Sequence, residues 1–365
     1  MKFTHQKFIA LLLYGILQSP SAFAVELVDI LRYSLQNDPT LQEANANTEG
    51  AYNDMKASKA GHYPTFSLTG QNVLAQRHTS GNSKMRDDLG IKSRLNLYAW
   101  GGIQAAVERD KHKMAYYQYK YYETREELAN TISTLYLTAL RAKESIAIAK
   151  RNIKRHEKFL ADLRIISKYD PGRRSEKTQA ESRYLQALSN EANLQKTLSV
   201  ALSKLNKYSA KSLTEKDIVD PFGKQNADQL IASFDKAQAK EHPSVKAQES
   251  EYNSALSDIK VNKASRYPSI NLEGSATHRD RSIAVTMSWD FYNKSSDYAV
   301  KKSHAVALSA KSRSDELLRD IQERAETAKV DMKQNEHRAK IAKLLIATQS
   351  KVAKDYEQQF YIANR

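Results

Sequence analysis

Residues 269–291 read SINLEGSATHRDRSIAVTMSWDF. Two strands emerge from this stretch. In the first, 269–277, Ile270, Leu272 and Ala276 alternate with Ser269, Asn271, Glu273 and Thr277. In the second, 282–291, Ile283, Val285, Met287, Trp289 and Phe291 alternate with Ser282, Ala284, Thr286, Ser288 and Asp290. A period of two over about ten residues is the length and pattern of a tilted strand in a transmembrane barrel. Two earlier segments read the same way. Over 65–74, Phe66, Leu68, Gly70 and Leu74 oppose Thr65, Ser67, Thr69 and Gln71. Over 88–98, Leu89, Ile91, Leu95 and Leu97 oppose Asp88, Lys92, Arg94 and Asn96. Aromatic residues gather at one end of these strands: Tyr63, Tyr98, Trp100, Tyr267, Trp289, Phe291 and Tyr292. That is where an interfacial girdle lies. The alternative is a small sheet packed on helices. Four strands cannot close a barrel around a lumen, and open edges are not tolerated in lipid. A membrane sheet of this kind therefore needs further copies of the chain.

An internal repeat organises the remainder. Displacing the chain by 204 residues aligns 39–70 with 243–274 at ten identities in 32 positions without a gap. Pro39 meets Pro243, Asp54 meets Asp258, Tyr63-Pro64 meets Tyr267-Pro268 and Gly70 meets Gly274. Past the next loop the displacement falls to 192, and Trp100-Gly101-Gly102 faces Tyr292-Asn293-Lys294. The expected organisation is a first unit over 25–206, a polar linker over 207–226, and a second unit over 227–365. Each unit starts with a helix, 27–61 and 227–265, broken before Pro39 and Pro243 because the residue preceding proline avoids the α region. Two strands follow, then a very long helix, 102–167 and about 296–360. These last stretches lack proline and are rich in Ala, Glu, Lys, Leu and Arg. A helix of that length spans roughly 100 Å. It has to bury a narrow stripe in a coiled-coil-like assembly. Leu128, Ile132, Leu135, Ala139, Ile146, Ala149 and Ile153 supply one.

Composition sets the class. The 365 residues hold 57 Lys+Arg, 42 Asp+Glu, 11 Gly, 7 Pro and no Cys. Without cysteine there is no disulfide scaffold, thiolate zinc site or cysteine nucleophile. A mean hydropathy of −0.66 excludes a multi-span helical membrane protein but not a barrel, whose strands are half apolar. Residues 1–24 read as a secretory signal peptide: Lys2 and Lys7, then the apolar run Phe8–Leu17, then Pro20 and Ala22-Phe23-Ala24. Export turns the basic-aromatic run Lys111–Tyr122 away from nucleic acid and toward the face of an amphipathic helix.

Catalytic motifs are missing. The sequence has no G-x-S-x-G, no phosphate-binding glycine loop and no H-E-x-x-H, and its nine histidines are scattered. Ser233-x-x-Lys236 and Ser257-x-x-Lys260 match a hydrolase tetrapeptide at chance level for helices of this composition. The expectation is no enzyme, no cofactor and no metal.

A signal peptide, two repeats of helix, strand pair and long helix, Tyr-Pro before each outgoing strand and Gly-Gly after the first return strand resemble TolC-type outer-membrane channels. The resemblance covers 25–365. It implies a mainly α protein with a small β part. Three copies would give four strands each to a twelve-strand barrel, with the helices forming a periplasmic tunnel. It implies an exit duct working with a periplasmic adaptor and an inner-membrane ABC or proton-driven transporter. The turn YDPGRRSEKTQAESR, 169–183, resembles the family's periplasmic tip, and its wording is closer to type I protein secretion than to multidrug efflux. The resemblance gives an adaptor-contact and gating role to Glu176 and, with it, Tyr169, Arg173 and Arg174. At this turn Gly172 is expected to take a backbone conformation closed to other residues, and Ser175 to cap the returning helix. A soluble periplasmic scaffold or adaptor stays open as the reading of a different class. The second unit stops at Arg365, the counterpart of Arg174, so its returning helix is missing; a fragment or a disrupted reading frame is the expectation.

Overall fold

The computed structural model describes residues 27–71, 88–222, 227–234, 239–278 and 280–363. The leader reading at 1–24, Leu74, the end of the linker and Arg365 lie outside these residues. The elements run α1 Leu27–Asn37, α2 Pro39–Ala60, β1 Thr65–Gln71, β2 Asp88–Tyr98, α3 Gly102–Tyr169 and α4 Arg174–Asn206. Then come α5 Ala227–Phe234, α6 Pro243–Ala264, β3 Ser269–Thr277, β4 Arg281–Ser288 and α7 Lys294–Ala363. No described helix is long and apolar enough to cross a membrane.

The two proline breaks are built alike. Pro39 and Pro243 stand at the first helical position, where the missing N–H costs nothing. Before each sits a capping side chain. The Asp38 carboxylate accepts from the Thr40 N–H at 2.9 Å and from its hydroxyl at 2.6 Å. His242 Nδ1 accepts from the Ser244 N–H at 3.3 Å. Each satisfies an otherwise orphan donor of the first turn.

The chain divides into two compact units. One comprises 43–123 and 237–330 and holds the sheet. All four strands are antiparallel in the order β1-β2-β3-β4. Leu68 lies opposite Ile91, Leu95 opposite Leu272, and Leu272 opposite Val285 as well. A bulge interrupts β2 between Asn96 and Tyr98. β4 is shorter than its alternation implies: it ends at Ser288, so Trp289 and Phe291 leave the ladder. Ser288 pairs with Ser269, the residue after Pro268, and proline has no N–H to extend the ladder. Beside the sheet, Ala255, Ile259 and Ala307 form a small core against Tyr252. A polar network ties α2, α3 and α6. Arg109 Nε donates to Asp110 at 2.7 Å and Arg109 Nη1 reaches Asp258 at 3.5 Å. The Ser58 hydroxyl donates to Asp110, and Lys113 pairs with Glu251 at 2.6 Å. Burial pulls the Asp110 carboxyl upward, but hydrogen bonds from Arg109 and Ser58 outweigh it and hold it below the ordinary value.

The other unit takes in 27–42, 124–236 and 331–363 of the described residues. Its α3 segment buries Leu128, Ile132, Tyr136, Ala139, Ala142, Ile146 and Ala149. The stripe differs from the sequence reading at two places: Ile153 is only half-buried, and Tyr136, not Leu135, takes the innermost position. The reason is polar. The Tyr136 hydroxyl donates to the Val219 carbonyl and accepts from the Val219 N–H, both at 2.9 Å. Lys143 Nζ donates to the Ile218 carbonyl at 2.7 Å. The segment after α4 is thereby fastened along the helix. Near the end of α3, Leu160 and Leu163 pack on Ala180, with Tyr184 alongside. A Tyr136→Phe substitution keeps the volume and deletes both bonds. It should cost about 1–2 kcal/mol, read as a lowered denaturation midpoint with an unchanged m-value.

Candidate functional site

Two places carry the features that the sequence marks. The first is the sheet. Its apolar face does not pack on the protein: Ile283 is 82% exposed, Phe66 73%, Leu68 72% and Met287 68%. The interior-packed sheet is thus overturned. The opposite face is a polar ladder. Arg94 bridges Glu273 at 2.7 Å, Asn96 donates to Asn271 at 3.0 Å, and the Ser275 and Ser282 hydroxyls meet at 2.8 Å. One side of the sheet is thus greasy and bare while the other is hydrophilic, the two-sided chemistry of a strand between lipid and water.

At the helix-side end the aromatic residues form two groups. Trp100 stacks on Tyr267 at 5.0 Å, and Tyr98 meets Trp100 edge-on at 5.1 Å. The Trp100 indole donates to the Pro268 carbonyl at 2.7 Å. Trp289 meets Phe291 edge-on at 6.4 Å and donates to the Arg266 carbonyl at 3.1 Å. Tyr63 and Tyr292 stand outside both groups among the described residues and are largely exposed. Trp100 and Gly101 adopt φ of 52° and 75°, the left-handed region, and turn the chain from β2 into α3. The ring contacts hold Trp100 in that strained conformation.

The second place is the turn after α3. Tyr169 is the last residue of that helix and is 86% exposed. A 3₁₀ turn, Pro171–Arg173, leads straight into α4. Asp170 caps it: its carboxylate accepts from the Gly172 N–H at 2.9 Å and lies 3.6 Å from Arg173. Ser175 does not cap α4. The helix starts at Arg174 behind Arg173, which makes no side-chain cap, and Ser175 sits inside the first turn. Because the 3₁₀ turn runs directly into the helix, no extended residue is left to serve as a cap. Gly172 does not take a left-handed conformation either; among described glycines only Gly101 does. Its small size matters instead, since a Cβ there would lie 3.1 Å from Asp170 Oδ1. Glu176 falls in the first turn of α4, where a carboxylate suits the positive end of the helix. The structure thus gathers Tyr169, Gly172, Arg173, Arg174, Ser175 and Glu176 at one exposed turn. Sequence reading missed Asp170, although Asp-Pro-Gly is a turn signature with an acceptor at its head.

His242 is a further residue whose role the sequence did not disclose. Burial lowers its pKa; Glu123 pulls it up and Arg324 down, and the net direction is downward. The cap needs a neutral Nδ1 as acceptor. Because the folded pKa lies below the unfolded one, this contribution is complete above about pH 6.5 and is lost as pH falls through the folded value. Between pH 7.5 and 5.5 the amides opening α6 should therefore lose hydrogen-exchange protection. His242→Asp, which reproduces the cap at Asp38, should abolish that change; persistence of it in the variant would place its origin elsewhere.

A family model described as outer membrane efflux protein matches residues 30–210. Curated proteins offer no match. Among solved structures, a membrane protein from Pseudomonas aeruginosa is 15% identical with a TM-score of 0.71, over 89% of this chain and 83% of that one. The Neisseria gonorrhoeae MtrE outer membrane channel, in its open state, is 16% identical with a TM-score of 0.67, over 85% and 76%. The Campylobacter jejuni CmeC outer membrane channel is 14% identical with a TM-score of 0.63, over 84% and 68%. At such identities the likeness is one of fold.

Proposed function

We propose that this chain, whose residues 30–210 match the outer membrane efflux protein family, is the outer-membrane exit duct of a tripartite export system. Three copies contribute four strands each to a twelve-strand barrel, and the helices extend into the periplasm. The observation that carries this reading is the bare apolar face of the sheet, backed by a polar ladder. A face of that kind is satisfied by hydrocarbon. The duct is passive. Energy comes from an inner-membrane ABC or proton-driven transporter joined through a periplasmic adaptor at the turn after α3. Tyr169, Arg173, Arg174 and Glu176 supply that contact, with Glu176 narrowing the closed pore.

The solved channels with this fold include MtrE and CmeC, whose names record outer membrane channels. Within the reading, export of a protein through a type I system is favoured by the wording of the turn, DPGRRSEKTQAE, over drug efflux. Two assays in a host lacking its own duct separate these. Restored release of a type I substrate to the medium supports protein secretion; restored drug resistance alone assigns the chain to an efflux pump.

Fractionation and cross-linking test the parent proposal. The protein should sediment with outer membranes and yield a trimer with an amine-reactive reagent. Recovery as a monomer in the soluble periplasmic fraction would leave only an exported helical rod. In planar bilayers Glu176→Ala should raise the closed-state current severalfold. Glu176 makes no ion pair among the described residues, so the change should leave the fold intact.

A further inference from the structure

The chain contains one complete junction between its two repeats. There β2 of the first pairs with β3 of the second, Leu95 facing Leu272 and Asn96 facing Asn271. Below the strands Trp100 stacks on Tyr267 at 5.0 Å. Further along, Arg109 of α3 reaches Asp258 of α6 at 3.5 Å. The other half of the sheet has free edges: β1 and β4 are the outer strands, each bonded on one side.

The two displacements of the repeat carry the partners of that junction onto β4 and β1, the outer strands, and onto side chains near them. Moving β2 by 192 turns Leu95 into Met287 and Asn96 into Ser288. Moving β3 back by 204 turns Leu272 into Leu68 and Asn271 into Ser67. These two pairs keep their apolar and polar character, whereas Arg94–Glu273 maps to Thr286 and Thr69 and Tyr98–Ile270 to Asp290 and Phe66. Trp100 maps to Tyr292 and Tyr267 to Tyr63, aromatic in both cases. Tyr292 is 76% exposed and Tyr63 63% exposed, with no ring contact for either among the described residues. Arg109 maps to Lys301 and Asp258 to Asp54, which keeps both charges. Asp54 is exposed and makes no ion pair among the described residues, while Lys301 only lies over its own Tyr298. Among the described residues the outer edges of β1 and β4 lack a partner strand, the Tyr63 and Tyr292 rings a partner ring, and Asp54 and Lys301 a partner ion, and each is the counterpart of a group that is matched inside the chain.

We propose that a second copy of this chain repeats the β2–β3 junction between subunits: β4 runs antiparallel to the neighbouring β1 with Met287 opposite the partner subunit's Leu68, Tyr292 against the partner's Tyr63 and Lys301 against the partner's Asp54. The assignment rests on the duct reading and adds its register. A slip of one residue would set Met287 against a polar residue and turn the greasy face inward. A slip of two keeps the faces, placing Met287 opposite the partner's Phe66 or the partner's Gly70. Only the internal template chooses among these.

The chain has no cysteine, so paired substitutions report without background. Met287→Cys with Leu68→Cys in one chain, in outer membranes treated with a short thiol cross-linker, should give a covalent trimer. Met287→Cys with Phe66→Cys or with Gly70→Cys should give at least fivefold less. A trimer formed preferentially by either of the latter pairs overturns the register while the duct stands. No oligomer from the unmodified chain with an amine-reactive reagent removes the duct reading itself. Separately, Lys301→Asp should lower the temperature at which the trimer dissociates in detergent, and adding Asp54→Lys should restore it. Failure to restore overturns the Lys301 contact.

Discussion

A β-strand is content only when the amide groups on both of its sides are bonded. In water an unmatched edge is solvated at no cost; in hydrocarbon each bare N–H or C=O costs several kcal/mol. The sheet described here meets this constraint on its inner strands alone, where β2 and β3 are bonded on both sides. Its apolar face is bare. Such a sheet is satisfied neither by water, which the face rejects, nor by lipid, which the edges reject. Association of like chains would reconcile the two, and the proposed duct rests on it.

The helices meet a different requirement. The average polarity of α3 and α7 is high, so neither can bury a broad face. The buried stripe of α3 is narrow and built of Ala, Ile and Leu, with one tyrosine whose hydroxyl is bonded to backbone. Small residues allow close approach while the flanking charged side chains stay wet. Ion pairs such as Arg109–Asp258 and Lys113–Glu251 then set which helix lies beside which, at modest gain in stability because they are partly exposed.

Much of this was legible in the sequence. Strand alternation, the repeat and the proline breaks are local patterns with fixed periods, and they gave β2 and β3 to the residue and both long helices within two or three residues. What escaped depended on partners distant in sequence. The early end of β4 is set by Pro268 on its neighbour. The place of Tyr136 is set by Val219, 83 residues away. At the turn, Ser175 and Gly172 were assigned by residue preference, but the 3₁₀ turn gave the acceptor role to Asp170 and left glycine needed for size alone. The His242 cap has the same character, since imidazole is uncommon in that role and only the geometry discloses it.

The left-handed pair Trp100–Gly101 is a stiff elbow. A flexible linker would let the strand and the long helix swing independently. Here the joint is pinned by a stacked ring and an indole hydrogen bond, so a sideways push on the first part of the helix becomes a twist of the strand. Whatever tilts the rod end nearest the sheet therefore turns the strand above it, and leverage replaces slack at this shoulder of the molecule.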